Sequence, residues 1–62
     1  MKINQYPIGI AVEFYYYTMF DSNVKTFAAG TIIDAEDGIY TIRDLDNSIH
    51  IIDQIDIIGA CI

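Results

Sequence analysis

Asp37-Gly38-Ile39-Tyr40-Thr41-Ile42-Arg43-Asp44, then Leu45-Asp46-Asn47, then Ser48-Ile49-His50-Ile51-Ile52-Asp53 is the stretch that decides the fold. Two short β-branched and aromatic runs flank a polar turn pair, and the first run is itself opened by Asp-Gly. That is the pattern of consecutive antiparallel strands joined by tight turns. Placing Asp46-Asn47 at the turn pairs Ile42 with Ile51, Asp44 with Ile49 and Arg43 with His50. Tyr40, Ile42, Ile49 and Ile51 then share an inward face, while Thr41, Arg43, His50 and Ile52 share the outer one. A slip of one residue would bury Arg43 and His50, so this register is well specified.

Working outward, three further runs of the same kind appear. Ile10–Phe20 and Val24–Asp34 are separated by Asp21-Ser22-Asn23, and Ile57–Ile62 follows Gln54-Ile55-Asp56, which reads as one tight helical turn. Pro7-Ile8-Gly9 opens the first strand. If Asp21-Ser22-Asn23 closes a hairpin, Tyr17 faces Phe27, Tyr15 faces Ala29 and Phe14 faces Gly30. One face then collects Val12, Phe14, Tyr16, Phe20, Ala28 and Ile32. The other collects Glu13, Tyr15, Tyr17, Met19, Phe27 and Ile33. Glu13 would be costly to bury without a partner, so the first face is the core face.

Composition agrees. Of 62 residues, 28 are Ile, Val, Thr, Tyr or Phe, against 15 good helix formers, which excludes a helical bundle and points to an all-β chain. At 53% hydrophobic residues the chain is too apolar for a disordered acidic tail. Residues 1–62 are expected to form a single domain: five strands in a strongly bent antiparallel small barrel, with a short helical turn before the last strand. A domain this small buries only about 60% of its unfolded surface. Cys61 is the one cysteine, so a disulfide is excluded, and one Cys with one His cannot complete a zinc site. The lone thiol fits a reducing, cytoplasmic setting.

The string from Gly30-Thr31-Ile32-Ile33-Asp34 through Tyr40-Thr41-Ile42 and Asp46-Asn47 to Gln54-Ile55-Asp56-Ile57 resembles the small barrel of Src-homology-3-like and Tudor-like domains. The likeness covers residues 24–58. It is to the Tudor-like pattern of a Gly-led strand, a Tyr-x-Val strand, a tight acidic turn and a return strand ending in a helical turn. Tudor-like domains that read methylated side chains often carry a cage aromatic where this chain has Asp44. The resemblance therefore implies a fold more than an activity.

The charge balance, 3 basic against 9 acidic residues for a net −6, disfavours direct contact with nucleic acid or anionic lipid. No apolar run approaches the roughly 20 residues needed to span a bilayer, and no signal peptide is visible. No phosphate-binding glycine loop, metal cluster or elbow serine is present, and Asp44 and Asp53 fall on the face opposite His50. The expected protein is therefore not an enzyme and needs no cofactor or metal. Alternation forces part of Tyr15-Tyr16-Tyr17 outward, and exposed aromatic clusters mark interfaces. Tyr15, Tyr17, Met19 and Phe27 are the expected partner-binding residues, rimmed by an acidic patch of Asp34, Glu36, Asp37, Asp44 and Asp46. The expected function is a phage-type accessory module that binds and blocks a host protein, one with a basic surface. Two alternatives follow from the same features: an acidic nucleic-acid mimic that inhibits a DNA- or RNA-binding protein, or a homodimer or larger structural oligomer.

Overall fold

The computed structural model of the chain describes residues 4–17 and 24–61. Five strands, β1 (Ala11–Tyr17), β2 (Lys25–Glu36), β3 (Ile39–Asp44), β4 (Ile49–Asp53) and β5 (Ile57–Ala60), form one antiparallel sheet ordered β4-β3-β2-β1-β5. A 3-10 turn, Gln54–Asp56, precedes β5; its Gln54 N–H donates to the Gly38 carbonyl and its Ile55 N–H to the Asp53 carboxylate. The all-β class, the five strands and the helical turn match the expectation. The small barrel is not shown: β4 and β5 are the two ends of the strand order, and among the described residues the sheet does not close.

The sheet is nevertheless strongly bent. β1 and β4 are separated by two strands, roughly 14 Å on a flat sheet, yet the Phe14 and Tyr16 rings of β1 stand 5.3 and 4.6 Å, centroid to centroid, from the His50 ring of β4. Two bulges help to produce the bend. In β2 the extra residue is Ile33, between the Ile32–Ile42 and Asp34–Thr41 pairs. It switches the alternation, so Ile32 and Ala35 face inward while Asp34 stays in solvent. In β5 the extra residue is Ile58, between Ile57–Phe14 and Gly59–Glu13.

Val12, Phe14, Ile32, Tyr40, Ile42, Ile52 and Ile57 form the core on the concave face, with Tyr6, Ile10, Tyr16, Ala28 and Ala35 partly buried against it. The buried Tyr40 hydroxyl is satisfied on both sides. It donates to Gln54 Oε1 at 2.6 Å and accepts the Tyr6 N–H at 3.1 Å. The same Gln54 oxygen accepts the Gln5 N–H at 3.0 Å. A tyrosine in a core normally finds such partners; here they also fasten residues 4–6 across one end of the sheet.

Two registers differ from the sequence reading. In the first hairpin Tyr15 faces Phe27 and Tyr17 faces Lys25, two residues away from the expected pairing. An even shift leaves every side chain on its expected face. This register stacks Tyr15 edge-on to Phe27 at 6.2 Å and sets Lys25 beside both outer tyrosines, contacts that favour it.

In the second hairpin the shift is one residue, and its effect is larger. Ile42 faces His50, Thr41 faces Ile51 and Tyr40 faces Ile52. The turn is a three-residue loop, Leu45-Asp46-Asn47, not the two-residue loop expected. Asp44 N–H donates to Ser48 O at 2.9 Å and Asn47 N–H to Asp44 O at 3.1 Å. Asn47, at φ 66°, takes the left-handed position that ends such loops. β3 keeps its faces, with Arg43 outside, but β4 is turned over: His50 and Ile52 point inward, while Ile49 and Ile51 are exposed. The Asp37-Gly38 turn forms as read, both residues having positive φ.

Candidate functional site

Alternation along β1 sends Tyr15 and Tyr17 to the convex face, where they are 39% and 51% exposed; Phe27 on β2 is 55% exposed beside them. Lys25 Nζ lies 5.8 Å from the Tyr15 ring centroid and 5.9 Å from that of Tyr17. It also reaches Asp56 Oδ1 at 3.5 Å. Three of the four residues expected to bind a partner are thus brought together. The fourth, Met19, lies outside the described residues. Lys25 and Asp56 complete the group and were not foreseen, because the two-residue register shift is what carries Lys25 opposite Tyr17.

The acidic residues are not arranged as one rim. Asp34, Glu36 and Asp37 are exposed around the β2–β3 turn, at the end of β2 away from Lys25 and Phe27. Asp46 is exposed in the β3–β4 loop. Asp44 is committed internally. Its Oδ1 accepts the Asp46 N–H at 2.8 Å and the Ser48 N–H at 2.9 Å, and its Oδ2 lies 2.7 Å from His50 Nε2. The His50 bond first, and then the two loop N–H groups, hold the Asp44 carboxyl below its ordinary range, against a desolvation that pushes it up. The expected separation of Asp44 from His50 is therefore overturned: the one-residue slip places both on the concave side.

His50 is wedged between Phe14 and Tyr16 and forms part of the floor of a cleft of about 360 Å³ between β1 and β4. Tyr15–Tyr17 make one wall, Ile49–Asp53 the other, and Asp56 stands at one end. A shallower hollow of about 250 Å³ adjoins it on the far side of Tyr16, beside Asp44, Asp46 and Phe27. The larger cleft lies where β5, which pairs with β1 over Val12–Phe14, leaves the far half of β1 without a strand on that side among the described residues. A histidine hydrogen-bonded to a carboxylate and open to a cleft is a proton-transfer arrangement. Among the described residues the cleft walls carry no Ser, Thr or Cys to serve as nucleophile.

Among the described residues no group of three or more His, Cys, Asp and Glu is placed to hold a metal ion, and no helix is long and apolar enough to cross a membrane. Comparison with family models, with curated proteins and with solved structures finds no match.

Proposed function

We propose that this chain is a non-catalytic protein-binding module that docks a partner with a basic surface through Tyr15, Tyr17 and Phe27. The observation that carries the reading is the exposure of all three rings on one convex face, with an ammonium group, that of Lys25, already seated against two of them. Rigid aromatic side chains contribute large contact area at low entropic cost, and they dominate the binding energy of many interfaces. The module works in the cytoplasm without a cofactor, and blocking a host protein, as phage-type accessory proteins do, suits its size and charge. We further infer that the sheet is a small barrel left open along one seam, in keeping with the Src-homology-3-like resemblance and with the approach of β1 to β4.

The test is a pull-down followed by calorimetric titration of the captured partner. Tyr17→Ala and Phe27→Ala are each expected to weaken binding at least about tenfold, as hot-spot truncations do, while the thermal midpoint moves by a few degrees at most. Unchanged affinity in both, with binding abolished by amide replacement of Asp34, Glu36 and Asp37, would transfer the function to the acidic turn and to nucleic-acid mimicry. A second reading, acid-base catalysis at the cleft, is favoured by the 2.7 Å His50–Asp44 pair. It requires a turnover activity that His50→Gln eliminates.

A further inference from the structure

The cleft between β1 and β4 has a feature that the aromatic face does not use: a free sheet edge. Among the described residues β4 pairs with β3 alone. Asp44 N–H bonds to Ser48 O, so Ser48 directs its backbone toward β3. By strand alternation His50 and Ile52 do the same, while Ile49 and Ile51 direct theirs outward. Natural edge strands are commonly blunted by lysine, proline, a bulge or a cover. Between Ser48 and Asp53 β4 has none of the first three, and Ile49 and Ile51 are 51% and 66% exposed.

We propose that this cleft binds an extended, lysine- or arginine-bearing segment of a partner protein, which adds a sixth strand to the free edge of β4. The proposal rests on the docking reading above and narrows its partner to a cationic β-strand. Charge selects the occupant. The chain carries a net −6, and Asp53 and Asp56 stand together at one end of the cleft. The chain's own Lys25 shows the chemistry accepted there: its ammonium lies against Tyr15 and Tyr17 and pairs with Asp56. A second copy of the chain is the poorer occupant. It brings another −6, and its own edge, Ser48–Asp53, has no Lys or Arg to offer. A strand laid antiparallel along β4 would set one side chain opposite Asp53 on the convex face, within reach of Asp56, and the next on that face opposite Ile51. The preferred segment therefore has a cation followed, two positions on, by an apolar residue. Main-chain hydrogen bonds supply affinity and the alternate side chains supply selectivity.

The experiment uses three synthetic peptides of about eight residues, within the usual strand range: one repeating lysine, threonine, valine, threonine, so that lysine and valine stand two positions apart, its glutamate counterpart, and the lysine peptide N-methylated at the lysine and valine nitrogens, which would face β4. Each is titrated at low salt into the isotope-labelled full chain, following amide shifts and amide hydrogen exchange. The lysine peptide is expected to slow exchange at Ile49 and Ile51 by about tenfold or more, with the other two inert at the same concentration. Lys25→Met should tighten binding several-fold by releasing Asp56 from its internal partner, and Asp56→Asn should weaken it by a similar factor. Equal binding of the N-methylated peptide overturns the proposal, as does binding of the glutamate peptide or no binding by any. Shifts confined to Tyr15, Tyr17 and Phe27, with Ile49 and Ile51 unaffected, overturn the added strand yet leave docking on the aromatic face standing.

Discussion

Gly30→Ala offers the sharpest test of the bent sheet. Gly30 is buried in β2, opposite Val12 of β1 on one side and Asp44 of β3 on the other. A Cβ built there would lie 2.4 Å from the Arg43 carbonyl oxygen, 2.9 Å from its carbon and 2.8 Å from Ile42 Cγ2. Relief to an ordinary contact requires about 1 Å of movement. The obstructing atom is backbone, in the segment where Thr31 faces Arg43, so the movement must open the β2–β3 ladder. Overpacking of this kind costs about 1–3 kcal/mol, and a compromised ladder bond adds roughly 1 kcal/mol. A domain of this length has a total stability of about 3–9 kcal/mol, so a loss near 3 kcal/mol removes a large part of it. At about 4–8 °C per kcal/mol, the midpoint should fall by roughly 15 °C or more. Gly59→Ala is the control, since nothing lies within 4 Å of its Cβ position; it should be neutral or stabilising by about 0.4–1 kcal/mol. Urea and thermal unfolding followed by circular dichroism measure both. Equal stability of the two variants would refute the claim that β2 and β3 leave no room at Gly30.

Tyr40→Phe keeps the core ring but removes the donor to Gln54 and the acceptor for the Tyr6 N–H; urea unfolding should show a loss of about 1–2 kcal/mol. Asp44→Asn tests the carboxylate that ties the β3–β4 loop to His50. A carboxyl held below its ordinary 3.8 in the folded chain contributes stability fully above that value and loses it as pH falls through the folded value. The wild-type advantage over Asp44→Asn should therefore shrink as pH falls below about 4; an advantage that grows there would contradict the assigned direction.

The legible parts of the fold were those that parity and turn chemistry decide without partners. Glu13 fixed the faces of β1, and the even error in its register left Val12, Phe14 and Tyr16 facing inward regardless. Asp37-Gly38 announced a turn needing positive φ at both positions. The expected register of β4 fails because Ile49, Ile51 and Ile52 populate both parities and a slip of one residue turns only His50 inward, Arg43 staying outside on β3. What reverses that choice is a hydrogen bond, His50 to Asp44, formed only after the loop has three residues. Asn47, suited to a left-handed third loop position, was the available signal for that length. The candidate site was legible in its aromatic half for the same reason β1 was. Its cleft was not, since it arises from where β5 stops pairing, a consequence of bending that no local pattern encodes.

Strands β1 to β4 are joined as successive hairpins, whereas β5 returns from the far end of the chain to pair Ala60 with Val12. Local hairpins zip quickly, but a distant join must first meet the entropy of closing a long loop. Ile57–Ala60 therefore docks late and leaves early, taking Ile57 out of the core as it goes. While it is away, the free border of β1 extends from Tyr17 back to Val12, and the protein is at its most vulnerable to proteases and to sticking.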